Sequence, residues 1–347
     1  MAEIRFIKKS EWDKLRAFNE AEYRPGHILT NKVYYDWQFD NFVNSKKDSY
    51  TTLGLFDDKE DLLGTFGLFA TPYNFYGQTI TGTSLCNLMV KKSLRNLGYG
   101  YLLLERAAAL NDFSIDHTIN EAAWPMFMRS GWQGADLKRY LYVINPKTPL
   151  YELSASTKSP PADSLFRFEQ VFSFDQSVNV FWQDVKNRYP ISIERSAEYL
   201  NWRYAQNPLI QYRMFTARNA ERLGAVAILR IEEPRTGESL GMEVGRLIDF
   251  FASEETEFFA LTALVQYYRE IGIDFIDYFT NGDFHKKSLG EAGFVYGDEG
   301  SYEQVPILFN PVSTKRKKLN FAVKAQEPFS LKDCYTTKGG GDQDRAY

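Results

Sequence analysis

The chain has 347 residues, of which 44% are hydrophobic and 25% charged, with a formal net charge of −4. That is enough apolar material for two ordinary cores, and too little excess charge for a nucleic-acid or anionic-membrane surface. No apolar run is long enough to span a bilayer and the opening MAEIRFIKKSEWDK lacks a signal-peptide core, so cytoplasmic small molecules are the expected partners.

In chain order, AEIRFIK alternates like a strand, SEWDKLRAFNEAEYR reads as a helix capped by Ser10, and NKVYYDWQFDNFV reads as a second helix. TTLGLFDD and LLGTFGLFATPYNF form expected strands joined by the turn-rich DDKED, and TITGTSLCNLMV is a third. A helix from about Leu97 to Leu110 follows, then a short strand near DHTIN, a helix over EAAWPMFMRSGW and a closing strand KRYLYVINP. The stretch Asn145 to Ser164 is rich in Pro, Ser and Thr and reads as a connection. The expected domains are therefore 1–150 and 165–347, with a linker over 151–164.

The second half repeats the first in outline. YYDWQF (Tyr34 to Phe39) has a counterpart in YLNWRY (Tyr199 to Tyr204), and NEAAWPMFMRSGW has one in NGDFHKKSLGEAGF, in the same order. Two matches in order favour a duplicated unit. The 22 tyrosines and 27 phenylalanines belong mostly to the cores of such units. Cys86 and Cys334 stand far apart and there are three histidines, so neither a metal cluster nor a disulfide is expected.

The junction NLMVKKSLRNLGYG places a strand end at Val90, a basic turn, and two glycines where a helix starts. Backbone N–H groups at a helix start point outward and its dipole favours anions, so Arg95, Gly98 and Gly100, with Lys91 and Lys92 near, read as a pyrophosphate cradle.

At these residues the chain resembles the GNAT family of acyl-coenzyme A-dependent N-acyltransferases, whose Arg/Gln-x-x-Gly-x-Gly/Ala pattern matches Arg95, Gly98 and Gly100. A second family signature matches Asn120, Ala123, Phe127, Gly131 and Trp132. The resemblance implies an α+β fold of two tandem GNAT-like domains, each a mixed, mostly antiparallel sheet flanked by helices. It further implies that Leu88, Met89 and Val90 pair with pantetheine, and that Arg95, Asn96, Leu97, Gly98, Tyr99 and Gly100 hold the pyrophosphate of acetyl-coenzyme A or another short acyl-coenzyme A. Asn120 and Phe127 would border the cofactor. The second half has GRLIDFFASEETEFFALTALVQYY at the equivalent place, with no Gly-x-Gly and with Glu254, Glu255 and Glu257 where they would repel a phosphate, so one coenzyme site per chain is expected.

A narrower likeness rests on Tyr199, Trp202, Arg203, Tyr204, Pro208 and the tail Asp342, Gln343, Asp344 and Arg345. These pieces resemble chains of bacterial surface-polysaccharide pathways, including N-acyltransferases of nucleotide-linked amino sugars. It implies Arg203, Tyr204 and Arg345 as acceptor contacts. The tail after KGGG reads equally as a disordered end.

N-acylation needs a free amine, donors for an oxyanion and an exit for the thiolate. The family likeness puts the oxyanion donors on the backbone near Leu88 and Met89. Phe127 stands where many relatives carry a Tyr, so it supplies no proton. The strand TGTSLCNLMV carries no carboxylate; Thr83, Ser84 and Asn87 are left to orient water or amine, and His27, in the YRPGHIL loop, is the one candidate base in the right titration range. His117 and His285 read as structural. The other readings are a protein or peptide N-acetyltransferase and a non-catalytic acyl-coenzyme A sensor.

Overall fold

A computed structural model of the chain describes residues 2–40, 47–145, 165–233, 242–297, 319–342 and 344. The first half runs β1 (Glu3–Lys8), α1 (Trp12–Glu22), α2 (Lys32–Phe39), β2 (Ser49–Phe56), β3 (Leu62–Phe75), β4 (Gln78–Val90), α3 (Tyr99–Ala108), β5 (Phe113–His117), α4 (Trp124–Arg129), β6 (Gln133–Asp136) and β7 (Lys138–Val143). The second runs β8 (Arg167–Val171), α5 (Ser177–Val185), β9 (Ile191–Ile193), α6 (Ala197–Leu200) continuing into a π-helical turn over Asn201–Ala205, β10 (Arg213–Arg218), β11 (Leu223–Glu232), β12 (Val244–Ala252), α7 (Glu254–Glu270), β13 (Phe275–Thr280), α8 (Lys286–Ala292), β14 (Val295–Gly297) and β15 (Asn320–Ala325). The fold is the mixed α+β duplication expected, although the linker over 151–164 lies outside the described residues.

Local chemistry explains most boundaries. Asn31 caps α2 by accepting from the Tyr34 N–H, and Ser196 caps α6 by accepting from Tyr199, the short polar side chains taking up otherwise orphaned donors. Ser10 does not cap α1: it lies in a 3₁₀ turn, Lys9–Glu11, whose Glu11 carboxylate reaches back to the Lys8 N–H at 2.9 Å. The Glu11 carboxylate is also held by Arg5 at 2.8 and 2.9 Å; it closes the 3₁₀ turn, while α1 itself starts after Glu11 with no side-chain cap.

The first sheet has the order β1-β2-β3-β4-β5-β15-β6, with β9 alongside β3; the second has β14-β7-β13-β12-β11-β10-β8. In each, one parallel pair, β4 with β5 and β12 with β13, sits among antiparallel neighbours. The expected closing strand of the first domain is corrected. Lys138–Val143 pairs between β13 and β14 of the second sheet, and β15 from the C-terminal half enters the first sheet between β5 and β6. Only Leu137 separates β6 from β7, so the chain steps from one sheet to the other within a residue. Both strands are apolar enough to fill either slot, so pattern alone could not assign them.

The duplication has a contact of its own. Trp37 of α2 and its counterpart Trp202 stack with ring centroids 5.2 Å apart, and each indole N–H donates to the other's backbone carbonyl, at 3.0 and 3.1 Å. The repeat motif recognised in sequence is thus a reciprocal seam between halves. Around it, Phe69, Tyr73, Phe113 and Ile115 of the first half pack with Trp182, Tyr189, Tyr199 and Phe251 of the second in one shared core, where each fully buried large side chain contributes about 1.5–3 kcal/mol. Cys86 and Cys334 are both buried free thiols.

Candidate functional site

The site grows from an irregularity in β4. Gly67 pairs with Cys86 and Thr65 with Met89, so Phe66 faces two residues, Asn87 and Leu88, and Asn87 takes φ +59°. This bulge ends the register with β5, which pairs with β4 only from Gly82 to Leu85, and the two parallel strands part at that point. Leu88–Val90, beyond the last β5 partner, are all partly accessible. A strand bulge re-aims the chain beside a cleft in this way.

Beyond β4, a 3₁₀ turn over Lys92–Leu94 leads to Asn96 at φ +67° and to Gly98 at φ +86°, the N-cap of α3. The helix begins at Tyr99 rather than Leu97. Gly98 has open space around its missing Cβ, and one built on Gly100 would come no nearer than 3.7 Å, to Met126. The glycines are therefore not packing requirements of the fold, and Gly98 alone answers a left-handed backbone. Arg95 curls back over the strand end, donating to the Val90 carbonyl at 3.2 Å, with Glu22 3.9 Å away. Glu22 also accepts the Lys92 N–H at 2.8 Å, which pins the turn to the end of α1.

Two predicted residues meet at the bulge. Tyr23 donates to the Asn87 carbonyl at 3.2 Å, and His27 stacks on the Tyr23 ring at 4.4 Å and 10°, its Nδ1 accepting from the Leu29 N–H at 3.3 Å. His27 thus borders the strand gap from the α1–α2 side. Asn120 caps the turn into α4, accepting from Ala123 at 2.8 Å. Phe127 is buried in the core edge-on to Trp132.

The remaining acceptor residues lie apart from this opening. Thr83 is fully buried and accepts from Asn111 at 2.6 Å. Ser84 donates to the Gly340 carbonyl at 2.9 Å and so receives the Tyr73 hydroxyl at 2.7 Å. Arg203 is buried, and in place of an acceptor its guanidinium holds the Gly339 and Gly341 carbonyls at 3.2 and 2.6 Å. Tyr204 donates to Asp249 at 3.2 Å. Arg345 and Gln343 lie outside the described residues.

The C-terminal segment, for which the sequence leaves acceptor contact and a disordered end equally open, is an internal strap as far as it is described. Thr337 to Gly340 are essentially inaccessible. Thr336 hydrogen-bonds His117 at 2.5 Å, and Asp344 takes Arg230 at 2.5 Å and the Tyr212 hydroxyl. Gly339 is obligatory, since a Cβ there would meet the Tyr204 hydroxyl at 2.1 Å. The one sequence signal was the KGGG run, which reads as readily as flexibility. Burial of the strap brings in Lys338, whose ammonium lies 3.6 Å from Asp277; burial, then the nearby Arg246 guanidinium, push it down to about 7. His117 is the last residue of β5, and burial pushes its imidazole down to about 3.

At the equivalent start of α7 in the second half, Glu257 is held by Arg188, by Ser288 at 2.8 Å and by His285 at 3.0 Å. The first turn of α7 thus carries acidic side chains where the first half has its glycines. Among the described residues no group of histidine, cysteine and carboxylate side chains is arranged for a metal, and no helix is long and apolar enough to cross a membrane.

With this geometry the whole fold can be compared. A GCN5-related N-acetyltransferase from Anabaena variabilis superposes with a TM-score of 0.60 at 10% identity, over 94% of this chain and 73% of that one. A probable N-acyltransferase of unknown function from Enterococcus faecalis gives 0.60 at 11%, over 94% and 72%. The fold is that of these acyltransferases. N-myristoyltransferase from Saccharomyces cerevisiae, solved with bound myristoyl-coenzyme A, gives 0.54 at 11% identity over 98% of this chain and 83% of its own. No protein-family profile and no curated protein matches in sequence. The likeness spans nearly the full chain, so the duplicated two-sheet arrangement, and not one half of it, is what the neighbours share.

Proposed function

We propose that the protein is an acyl-coenzyme A-dependent N-acyltransferase that moves an acetyl or other short acyl group onto the amino group of a nucleotide-linked amino sugar, by direct attack in a ternary complex. The observation that carries the reading is the bulged end of β4 beside the Gly98-capped start of α3. The parted strands offer Leu88–Val90 to pantetheine, and the free N–H groups from Leu97 to Gly100 offer a cradle to the pyrophosphate. Both ends of one coenzyme are thereby accounted for by a single continuous segment.

The chemistry follows from the same backbone. The acceptor nitrogen attacks the thioester carbonyl, a C–N bond forms, the C–S bond breaks, and the coenzyme leaves as its thiol after taking up a proton. Backbone N–H groups of Leu88 and Met89 meet the developing oxyanion. His27 takes the amine proton directly or through a water held at Asn87, since it borders the gap through Tyr23. Phe127 has no proton to give, so the thiolate leaves without acid assistance from that position. Arg203 would act on the acceptor through the Gly339 and Gly341 carbonyls that it holds, and Tyr204 through Asp249.

A titration of the full chain with coenzyme A, acetyl-coenzyme A and nucleoside-diphosphate amino sugars, read by thermal stability and thiol release, tests the reading. Stabilisation by coenzyme A together with thiol release on one amino sugar supports it; no response to coenzyme A overturns it. The absence of a donor at Phe127 favours one second reading, a non-catalytic acyl-coenzyme A sensor, which would show coenzyme binding without thiol release on any amine.

A further inference from the structure

A cleft of about 920 Å³ opens at the edge of the second sheet, where β8 and β11 end and β10 begins. Tyr204 stands on its wall, whereas no residue of the β4 bulge or of the α3 start lines it. Its walls carry Gln170, Phe172, Asn207, Tyr212, Arg213 and Arg230, and the carboxylates of Glu232 and Asp344 are held against Arg230 at its inner side. Phe172 is 82% exposed, an aromatic face offered to solvent beside amides and guanidinium groups. Most other large rings among the described residues are buried.

The polar groups are set rather than loose. Asn207 accepts the Leu209 and Ile210 N–H groups at 3.0 and 2.9 Å, a turn geometry that fixes its side chain; its Nδ2 donors have no partner among the described residues although the atom is buried. A buried amide donor without a partner is costly unless a ligand or water completes it. Arg230 is neutralised by Glu232 at 2.8 Å and Asp344 at 2.5 Å. Arg213 contacts the Tyr267 hydroxyl and has no carboxylate partner among the described residues, which leaves it as the cationic group for an incoming anion.

We infer that this cleft binds a glycosyl phosphate: the aromatic face of Phe172 under a sugar ring, the amides of Asn207 and Gln170 on its hydroxyls, and Arg213 on the phosphate. The inference rests on the acyltransferase reading above and deepens it by locating the acceptor's handle. Asp344, at the cleft's inner wall with Tyr212 and Arg230, is three residues beyond Gly341, whose missing Cβ faces His117. The strap therefore spans at most about 11 Å between cleft and first sheet, a length that a nucleoside-diphosphate-linked sugar can bridge.

Calorimetric titration of the full chain with UDP-N-acetylglucosamine, glucosamine 1-phosphate and inorganic phosphate, for the wild type and for Phe172→Ala and Arg213→Gln, decides it. At least one sugar phosphate is expected to bind at least tenfold more tightly than inorganic phosphate, and each substitution to weaken that binding at least tenfold. Because Phe172 is exposed, Phe172→Ala retains the fold and keeps the test open if Arg213→Gln does not. Unchanged affinity in the folded variants, no binding of either sugar phosphate, or inorganic phosphate binding as tightly as both, an adventitious ion only, overturns the inference. The two readings fail separately. Acylation of a nucleotide-linked amino sugar with binding indifferent to both substitutions sinks the cleft alone. Variant-sensitive sugar-phosphate binding with no acylation of any amino sugar sinks the acceptor assignment alone.

Discussion

Gly98→Val separates backbone strain from ligand blockage. Gly98 sits at φ +86° with nothing within 4 Å of a built Cβ, so the substitution meets no neighbour and its whole cost to the free protein is conformational. Left-handed backbone costs an L-residue about 1–2 kcal/mol, with a β-branched side chain at the upper end. Against a total stability on the order of 5–15 kcal/mol the fold survives, with a fall of a few degrees in the unfolding midpoint. Coenzyme binding should respond far more. The new side chain covers N–H donors, and losing two charge-assisted bonds at about 1.5–3 kcal/mol each weakens binding at least a hundredfold, or about 2.7 kcal/mol. Gly272→Val is a matched control, because Gly272 has φ +81°, equally open surroundings and a place after α7 remote from the junction. Calorimetric titration with coenzyme A should give equal thermal losses for the two variants and a loss of affinity for Gly98→Val alone. Equal affinities in both would remove the cradle from this turn.

Three further outcomes are expected. Trp37→Ala and Trp202→Ala should each cost about 3–5 kcal/mol and, because the rings share both a stack and reciprocal hydrogen bonds, the double variant should fall short of the sum by 0.5–3 kcal/mol or so; strict additivity in denaturant unfolding would deny the seam. His117 has a folded value near 3 against an ordinary 6.5, so the unfolded chain binds its proton first and stability is lost as pH falls from 6.5 toward 3, by up to about 1.4 kcal/mol per pH unit; His117→Asn should flatten that part of the profile in pH-dependent unfolding. For His27→Ala, the pH-rate profile of acyl transfer should lose its limb near neutrality, and an unaltered profile removes His27 from proton transfer.

What was legible in the sequence was what is local. The strand, basic turn and glycine-capped helix from Asn87 to Gly100 announce themselves within one short stretch, whereas Asn120 was singled out only through the family likeness and its capping of Ala123 is seen in the fold. The seam was visible as a repeat, YYDWQF and YLNWRY, though not that the two tryptophans meet. Arg203 illustrates the limit: an arginine between aromatics invites an anionic ligand, and only the fold reveals that glycine carbonyls more than 130 positions away claim its donors. The same non-locality hid the strap, because a glycine run that buries itself and one that stays loose have the same composition. The bulge at Asn87 also escaped notice, since register is a property of two strands and Asn is permitted in left-handed backbone without requiring it.

The exchange of β7 and β15 predicts that the two sequence halves do not fold apart. In β7, Tyr140, Leu141, Tyr142 and Val143 are all at most 3% exposed, and their partners are β13 and β14 of the other half. Burial of four such side chains contributes on the order of 6–12 kcal/mol, comparable with the whole stability of a domain. A fragment of residues 1–150 loses this and the β15 partner of both β5 and β6; one of 165–347 loses the strand between β13 and β14. Each fragment also exposes unpaired strand edges that invite aggregation. Expressed singly, the fragments should lack a cooperative thermal transition, whereas co-expression should return a 1:1 complex with the circular dichroism of the intact chain, because the exchanged strands supply non-covalently what the connection supplies covalently. A monomeric, cooperatively melting fragment 1–150 would mean that β7 can close the first sheet on its own, and that the observed exchange is a choice between two nearly equal pairings rather than the arrangement on which the shared core depends.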